Sequence, residues 1–175
     1  MDKMDVLIYA QRKVEEEGQS LSELVNLVRR RTPMRIFISL EGNSEKVLHK
    51  LSGTFEDIPL KIVECEVTGK LIDKNQSTDL EVKRKVLELG LETLAKYVDN
   101  NTNSIESLNS EITISLFRAF FMFYSAAMPK DYEILYEDRR MCILGKLIHT
   151  GIENGDVLIT SPWDAYWFID ELDKV

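Results

Sequence analysis

The chain has 175 residues, 44% of them hydrophobic and 30% charged, with a net charge of −8 and a pI of about 4.9. That length suits one ordinary domain with room for a packed core, and the composition excludes both disordered and membrane-embedded classes. The acidic balance repels nucleic-acid backbones and anionic lipid and favours basic partners.

The first residues, MDKMDVLIYAQRK, lack the long apolar core of a secretory signal. Only Cys65 and Cys142 occur, far apart and without a partner motif, so a reducing, intracellular and cytoplasmic setting is expected, with each thiol a packing residue. Residues 4–17 read as a helix closed by Gly18, and SLSELVNLVRRR as a second helix, with Leu21, Leu24, Val25 and Val28 on its apolar stripe. Arg29, Arg30, Arg31 and Arg35 fall within seven residues free of acids, a local basic patch that could touch nucleic-acid phosphates. The stretch VEEEGQSLSELVNLVRR resembles the turn and second helix of ribbon-helix-helix repressors over about a tenth of the chain. Such repressors read the major groove with strands ahead of the first helix, and only Met1 to Met4 precede it here.

After Thr32-Pro33, MRIFISLEG reads as a buried strand, SEKVLHKLSG as a short helix and LKIVECEV as a second strand. This βαβ pattern predicts parallel neighbours, although so short a crossover leaves antiparallel pairing open. MRIFISLEGNSEKVLHKL resembles the first strand and helix of TIR-type and related flavodoxin-like domains, a likeness that ends at residue 52. The resemblance implies a loop, EGNSE, at the carboxyl end of the strand, where such folds can hold phosphate. Glu41 and Glu45 oppose an anion there, and Asn43 or Ser44 reads as the helix cap.

From Asp79 to Tyr97 the spacing of Leu80, Val86, Leu87, Leu91 and Leu94 is helical, with Gly90 inside it. Asp73 with Glu81-Val82-Lys83 has the residue types of a metal-dependent nuclease, but on a helix these make a solvated face. DNNTNSIESLNS, 99–110, reads as a flexible polar loop. SLFRAFFMFYSAAMP, 115–129, then holds four of the seven Phe. The apolar stretch is shorter than the ~20 residues of a membrane span and contains Arg118. A helix from about Asn109 to Met128 is expected, capped by Ser110, stopped by Pro129 and apolar nearly all round, hence buried on more than one side or kept for a partner.

Past Pro129, YEILYED reads as a further short strand near 132–137, and RRMCILGKLIHTG as a helix ending near Gly151. Gly155-Asp156 turns into the strand VLITS, and SPWDAYWFIDELDKV forms a closing helix with Ser161 as cap, Pro162 at its first position and Asp164 in the capping-box place. Trp163, Tyr166 and Trp167 recur at helical spacing beside acids 164, 170, 171 and 173, which suits a basic partner.

There is no phosphate-loop, dinucleotide, zinc-protease, nucleophile-elbow or CxxC motif. The acids at 131–138 and 170–173 have no evident basic partner, and Cys142 and His149, seven apart, are the one pairing of soft ligands on a helix face. The sequence therefore predicts an α+β fold: one mainly helical domain over 1–175 with a three- to four-stranded sheet (near 34–40, 60–68, 156–160 and 132–137). It favours a non-catalytic interaction or assembly factor, without cofactor, metal or catalytic residues. Trp163, Tyr166, Trp167, Phe120 and Phe121 would bind a protein partner or a second copy. The alternatives are a nucleic-acid regulator using Arg29, Arg30, Arg31 and Arg35, and an enzyme whose site is assembled from scattered residues.

Overall fold

The computed structural model describes residues 4–10, 17–66, 104–127 and 130–175, together with 82, 85, 86, 89, 90, 92–94, 96, 97 and 100. The elements are β1 (Asp5–Ile8), α1 (Glu17–Arg31), β2 (Arg35–Ser39), α2 (Ser44–Ser52), β3 (Leu60–Ile62), α3 (Ile105–Leu108), α4 (Glu111–Ala127), α5 (Lys130–Thr150), β4 (Asp156–Thr160) and α6 (Pro162–Leu172). The described residues between 82 and 100 are helical too. The fold is α+β and mainly helical around a small four-stranded sheet, ordered β1-β4-β2-β3 with every pair parallel.

The last strand enters the middle of the sheet. Asp5 to Ile8 pair with Val157 to Thr160 on one side, and Arg35 to Ser39 pair with Asp156 to Thr160 on the other. All five residues of β4 are buried, as the continuous run DVLIT leads one to expect of a central parallel strand. One sheet face, with Ile36, Ile38, Val157 and Ile159, packs on Leu24 and Val28 of α1, Val47 and Leu51 of α2, Ile105, Leu108 and Phe117. The other, with Phe37 and Leu158, packs on Ile143, Leu144 and Leu147 of α5 and Phe168 and Leu172 of α6.

Two turns before the central strands depend on special backbone. Thr32 adopts φ +47° after α1, a left-handed stop next to Pro33, which excludes further helix. Gly155 (φ +90°) precedes Asp156, whose buried carboxylate accepts from Arg35 Nε (2.9 Å) and Nη2 (2.6 Å) and from the Glu153 backbone N–H (2.7 Å). This bidentate pair locks β2 to β4 at their amino ends.

Several sequence expectations change. Residues 5–8, read as the start of a helix, are strand β1, because Val6, Leu7 and Ile8 lie in a sheet whose neighbours bury both faces; residues 11–16 of that expected helix lie outside the described residues. As a strand parallel to β4, β1 is not the groove-reading strand of a ribbon-helix-helix protein. The strand expected at 132–137 is part of α5. β3 and β2 are parallel, and β3 stops at Ile62, with Val63 to Glu66 outside any regular element and 67–68 outside the described residues. The segment 104–110, read within a polar loop, is a capped helical turn that buries Ile105 and Leu108. Its Asn109 side chain accepts from the Ile8 N–H (2.6 Å) and donates to the Ile8 carbonyl (2.9 Å), covering the outer edge of β1.

Ser39 and Thr160 face each other in the β2–β4 register, both buried, and their hydroxyls find no partner among the described residues. A buried hydroxyl left unbonded costs about 1–3 kcal/mol. Thr160→Val and Ser39→Ala should therefore each raise the unfolding free energy by about 1 kcal/mol in urea titrations; a loss of that size would show that the hydroxyls are satisfied in solution.

Candidate functional site

At the carboxyl ends of β1, β2 and β4 the chain opens into a crevice of about 690 Å³. Open parallel sheets place ligand sites at this edge because the connections diverge there. Here β1 and β2 flank β4, and chain leaving all three strands borders the crevice. Tyr9 and Ala10 leave β1, Leu40, Glu41 and Asn43 leave β2, and Ser161 to Asp164 leave β4. Phe121 and Tyr124 of α4, Arg139 and Arg140 of α5, and Glu92 complete the lining.

Local sequence fixes each wall. The β2 exit turns through Gly42 (φ +74°), and the Ser44 hydroxyl closes it by accepting from Leu40 N–H (2.9 Å) and donating to Leu40 O (2.8 Å). Ser44 thus holds the turn, while Asn43 occupies the N-cap position without a side-chain cap bond. On the β4 side Pro162 starts α6 after the extended Ser161. Asp164 does not close a capping box with the backbone. Its carboxylate instead accepts from the Ser161 hydroxyl (3.1 Å), from Arg140 Nε (2.8 Å) and from Arg139 Nη2.

That carboxylate and both guanidinium groups are nearly sealed from water. Burial of such charges is tolerated only with full pairing, which Arg140 achieves by also donating to the Trp163 carbonyl (2.8 Å) and the Tyr166 hydroxyl (3.2 Å). Its guanidinium lies 5.3 Å from the Phe121 ring centroid and 5.4 Å from that of Tyr166, and these rings stack on each other at 4.8 Å. Two cations share one acid, so this wall carries a positive charge; Glu41 and Glu92 lie elsewhere in the lining.

The fold brings together four of the five aromatic residues singled out from sequence. Trp163 meets Phe117 and Phe121 edge-on, each at 5.3 Å, and Phe120 at 6.3 Å, while Tyr166 stacks on Phe121. These contacts join α4 to α6 within the chain, and Trp163 and Phe121 also line the crevice. Trp167 stands apart, edge-on to Phe168 in the other core cluster. On α4, Phe117 is buried, but Ile112, Met122 and Phe123 are 74%, 69% and 59% exposed, so the helix is not covered all round. Among the described residues no helix is long and apolar enough to cross a membrane.

The arginine patch is dispersed. Arg30 forms a two-pronged pair with Glu106, Arg31 pairs with Asp5, and Arg35 belongs to Asp156; Arg29 is exposed in the last turn of α1. Glu106 is held below the usual carboxylate range by its hydrogen bond and charge attraction to Arg30. The acid expected to lack a partner, Asp170, pairs with Arg118 (2.6 Å), and Glu171 pairs with Lys174. The cysteines are not isolated: Cys65, beyond β3, and Cys142, on α5, form a disulfide with Cα atoms 6.2 Å apart, which removes Cys142 as a metal ligand. No group of three or more His, Cys, Asp or Glu among the described residues could hold a metal ion. Asp73, Glu81 and Lys83 lie outside the described residues.

Tyr9, Arg139, Arg140 and Asp164 are the residues that sequence reasoning did not join. The one available signal was Asp164 in the capping-box position, an acid placed to receive donors. Comparison with protein-family models, curated proteins and solved structures gives no match. The function must therefore be argued from the site itself.

Burial holds the Tyr166 phenol above its usual value, against the opposing pull of the Arg140 charge and hydrogen bond. A raised folded-state value gives stability that is present below the unfolded phenol value, about 10, and lost as pH rises through the folded one. Alkaline titration of phenolate absorbance should show Tyr166 ionising after the exposed tyrosines. Tyr166→Phe should flatten the fall of stability above pH ~10; an unchanged slope would remove Tyr166 from this role.

Proposed function

We propose that the protein binds a small ligand of nucleotide type in the crevice at the carboxyl edge of β1, β2 and β4. The observation that supports this most is the cavity itself: its size lies within the ~300–1,000 Å³ of small-molecule sites, and it sits where an open parallel sheet offers one. The lining suits a planar ring (Tyr9, Phe121, Tyr124, Trp163), hydroxyl donors (Glu41, Glu92) and an anionic group beside Arg139. A base, a sugar and a phosphate combine these three features.

Calorimetric titration against mononucleotides and matching nucleosides tests the reading. Binding of the nucleotide is expected to exceed that of the nucleoside, and Arg139→Ala to weaken it about tenfold, ~1.4 kcal/mol, with the circular dichroism spectrum retained. Trp163→Ala should weaken both compounds. Absence of any binding at millimolar nucleotide, or binding indifferent to both substitutions, would refute the reading.

A second reading, an interaction or assembly factor, is favoured by the outward face of α4. Ile112, Met122 and Phe123 share that face and expose large apolar groups, which a partner or a second copy could cover. If the chain self-associates through it, the solution mass should exceed 20.2 kDa and fall to that of a monomer in Met122→Glu/Phe123→Glu. A monomeric parent protein would remove the self-assembly version. Neither reading uses the arginines of α1 on nucleic acid, two of which are engaged within the chain.

The disulfide bears on the compartment. Cytosolic disulfides are usually transient, whereas stable ones mark oxidising compartments. The cytoplasmic setting expected from the sequence thus requires an exchangeable bond.

A further inference from the structure

A second concavity, about 460 Å³, lies between β3 and α5, away from the crevice. Lys61 of β3 and Lys146 and His149 of α5 line it, with Glu64 as the one acid. The cations are positioned by local bonds: Lys146 Nζ donates to the Glu64 carbonyl (2.5 Å), and Lys61 Nζ approaches the Thr150 hydroxyl (3.5 Å). Cys142 is in the same lining, one helical turn before Lys146. It is exposed, whereas Cys65 is half-buried, and beside it Gly145 leaves open space where a side chain would stand. A concavity with two lysines, in an acidic protein and with Cys142 of a disulfide in its lining, suits a small anionic thiol.

We propose that the Cys65–Cys142 bond is a thiol-exchange site for small anionic thiols of the glutathione class, with Lys61 and Lys146 holding the carboxylates. The incoming thiolate attacks Sγ of Cys142, the more exposed of the two cysteines. A bond forms between those two sulfurs, the Cys65–Cys142 bond breaks, and its electron pair leaves on Cys65 Sγ, which takes a proton from water. A second thiolate attacks the sulfur of the bound thiol, releasing the oxidised thiol dimer and the Cys142 thiolate, which is protonated in turn. The oxidised dimer drives the same steps backwards and closes the bond.

Exchange here reaches the rest of the molecule through α5. Cys142 follows Arg139 and Arg140 on that helix, and the bond ties it to the chain beyond β3 across 77 residues. Opening it removes the covalent tie between the helix that carries the crevice arginines and the sheet-edge segment, leaving the Lys146–Glu64 hydrogen bond and the apolar packing.

The experiment starts from protein closed with oxidised glutathione and follows opening by alkylation and intact mass, using reduced glutathione and the cationic thiol cysteamine at equal thiolate concentrations. Glutathione is expected to act about tenfold faster, with the mixed disulfide mapped to Cys142. High salt should abolish the preference in the unmodified protein, and Lys61→Gln/Lys146→Gln should abolish it at low salt. The variants change exposed side chains, and the salt arm needs no variant at all. Equal rates for the two thiols, an adduct on Cys65, a bond that opens only on unfolding, or failure of oxidised glutathione to close it would each overturn the proposal. Crevice binding is untouched by these outcomes.

Discussion

The insertion of β4 between β1 and β2 is the constraint on which the rest of the structure depends. Without it the first two strands share no hydrogen bonds: β1 pairs only with β4, and β2 reaches β1 only through β4. The strand that completes the sheet is contributed by residues 156–160, long after the others. Its place between two strands, with packed helices on both faces, makes it the most uniformly buried segment of the sheet, with an apolar centre bounded by Asp156 and Thr160. At its amino end a buried carboxylate is matched to Arg35; at its carboxyl end the chain turns directly into α6. The buried pair at the amino end fixes the register of this strand, since a slip by one residue would move Asp156 away from Arg35 and exchange the side chains between the two packed faces.

The crevice follows from the same insertion. Because β4 delivers α6 between the exits of β1 and β2, the first turn of α6 stands against the loops leaving both. Asp164 in that turn then draws Arg139 and Arg140 from α5, and Arg140 in turn lies over Phe121 of α4. Three helices thus converge through one carboxylate. A buried ion cluster of this kind is a costly way to gain stability, and replacement by apolar groups of equal volume is often neutral or better. Beside the cavity it fixes the place of the two guanidinium groups, the feature on which the proposed ligand reading draws.

Much of this was legible in the sequence and some was not. The strands expected near 34–40, 60–68 and 156–160 show as short apolar runs rich in Ile and Val, and the closing helix announces itself with Ser161, Pro162 and Asp164. The first strand was misread because MDVLIYAQRKVEEE begins as an apolar run too short to separate strand from helix by periodicity, and its charged continuation favours the helix. YEILYED read as a short strand yet belongs to a long helix, α5, because so short an apolar run does not separate strand from helix by periodicity. The polar stretch 99–110 hid Ile105 and Leu108 because two buried side chains in a helical turn leave no periodic trace. Pairings across large separations, such as Cys65 with Cys142, Arg118 with Asp170 and Arg139 with Asp164, depend on topology and leave no sequence signal. So the aromatic helices were recognisable, but the identity of the face each turns inward was not.

Native-state hydrogen exchange, followed residue by residue, tests the central place of β4 most directly. If the sheet is held together by this strand, the amides of Val157 to Thr160 exchange only through global unfolding, with the same opening free energy as those of Ile36 to Ser39 and of Leu7 and Ile8. Exchange of β4 at lower free energy while β2 and β1 stay protected would contradict the account, because it would mean that the outer strands hold together without the strand between them.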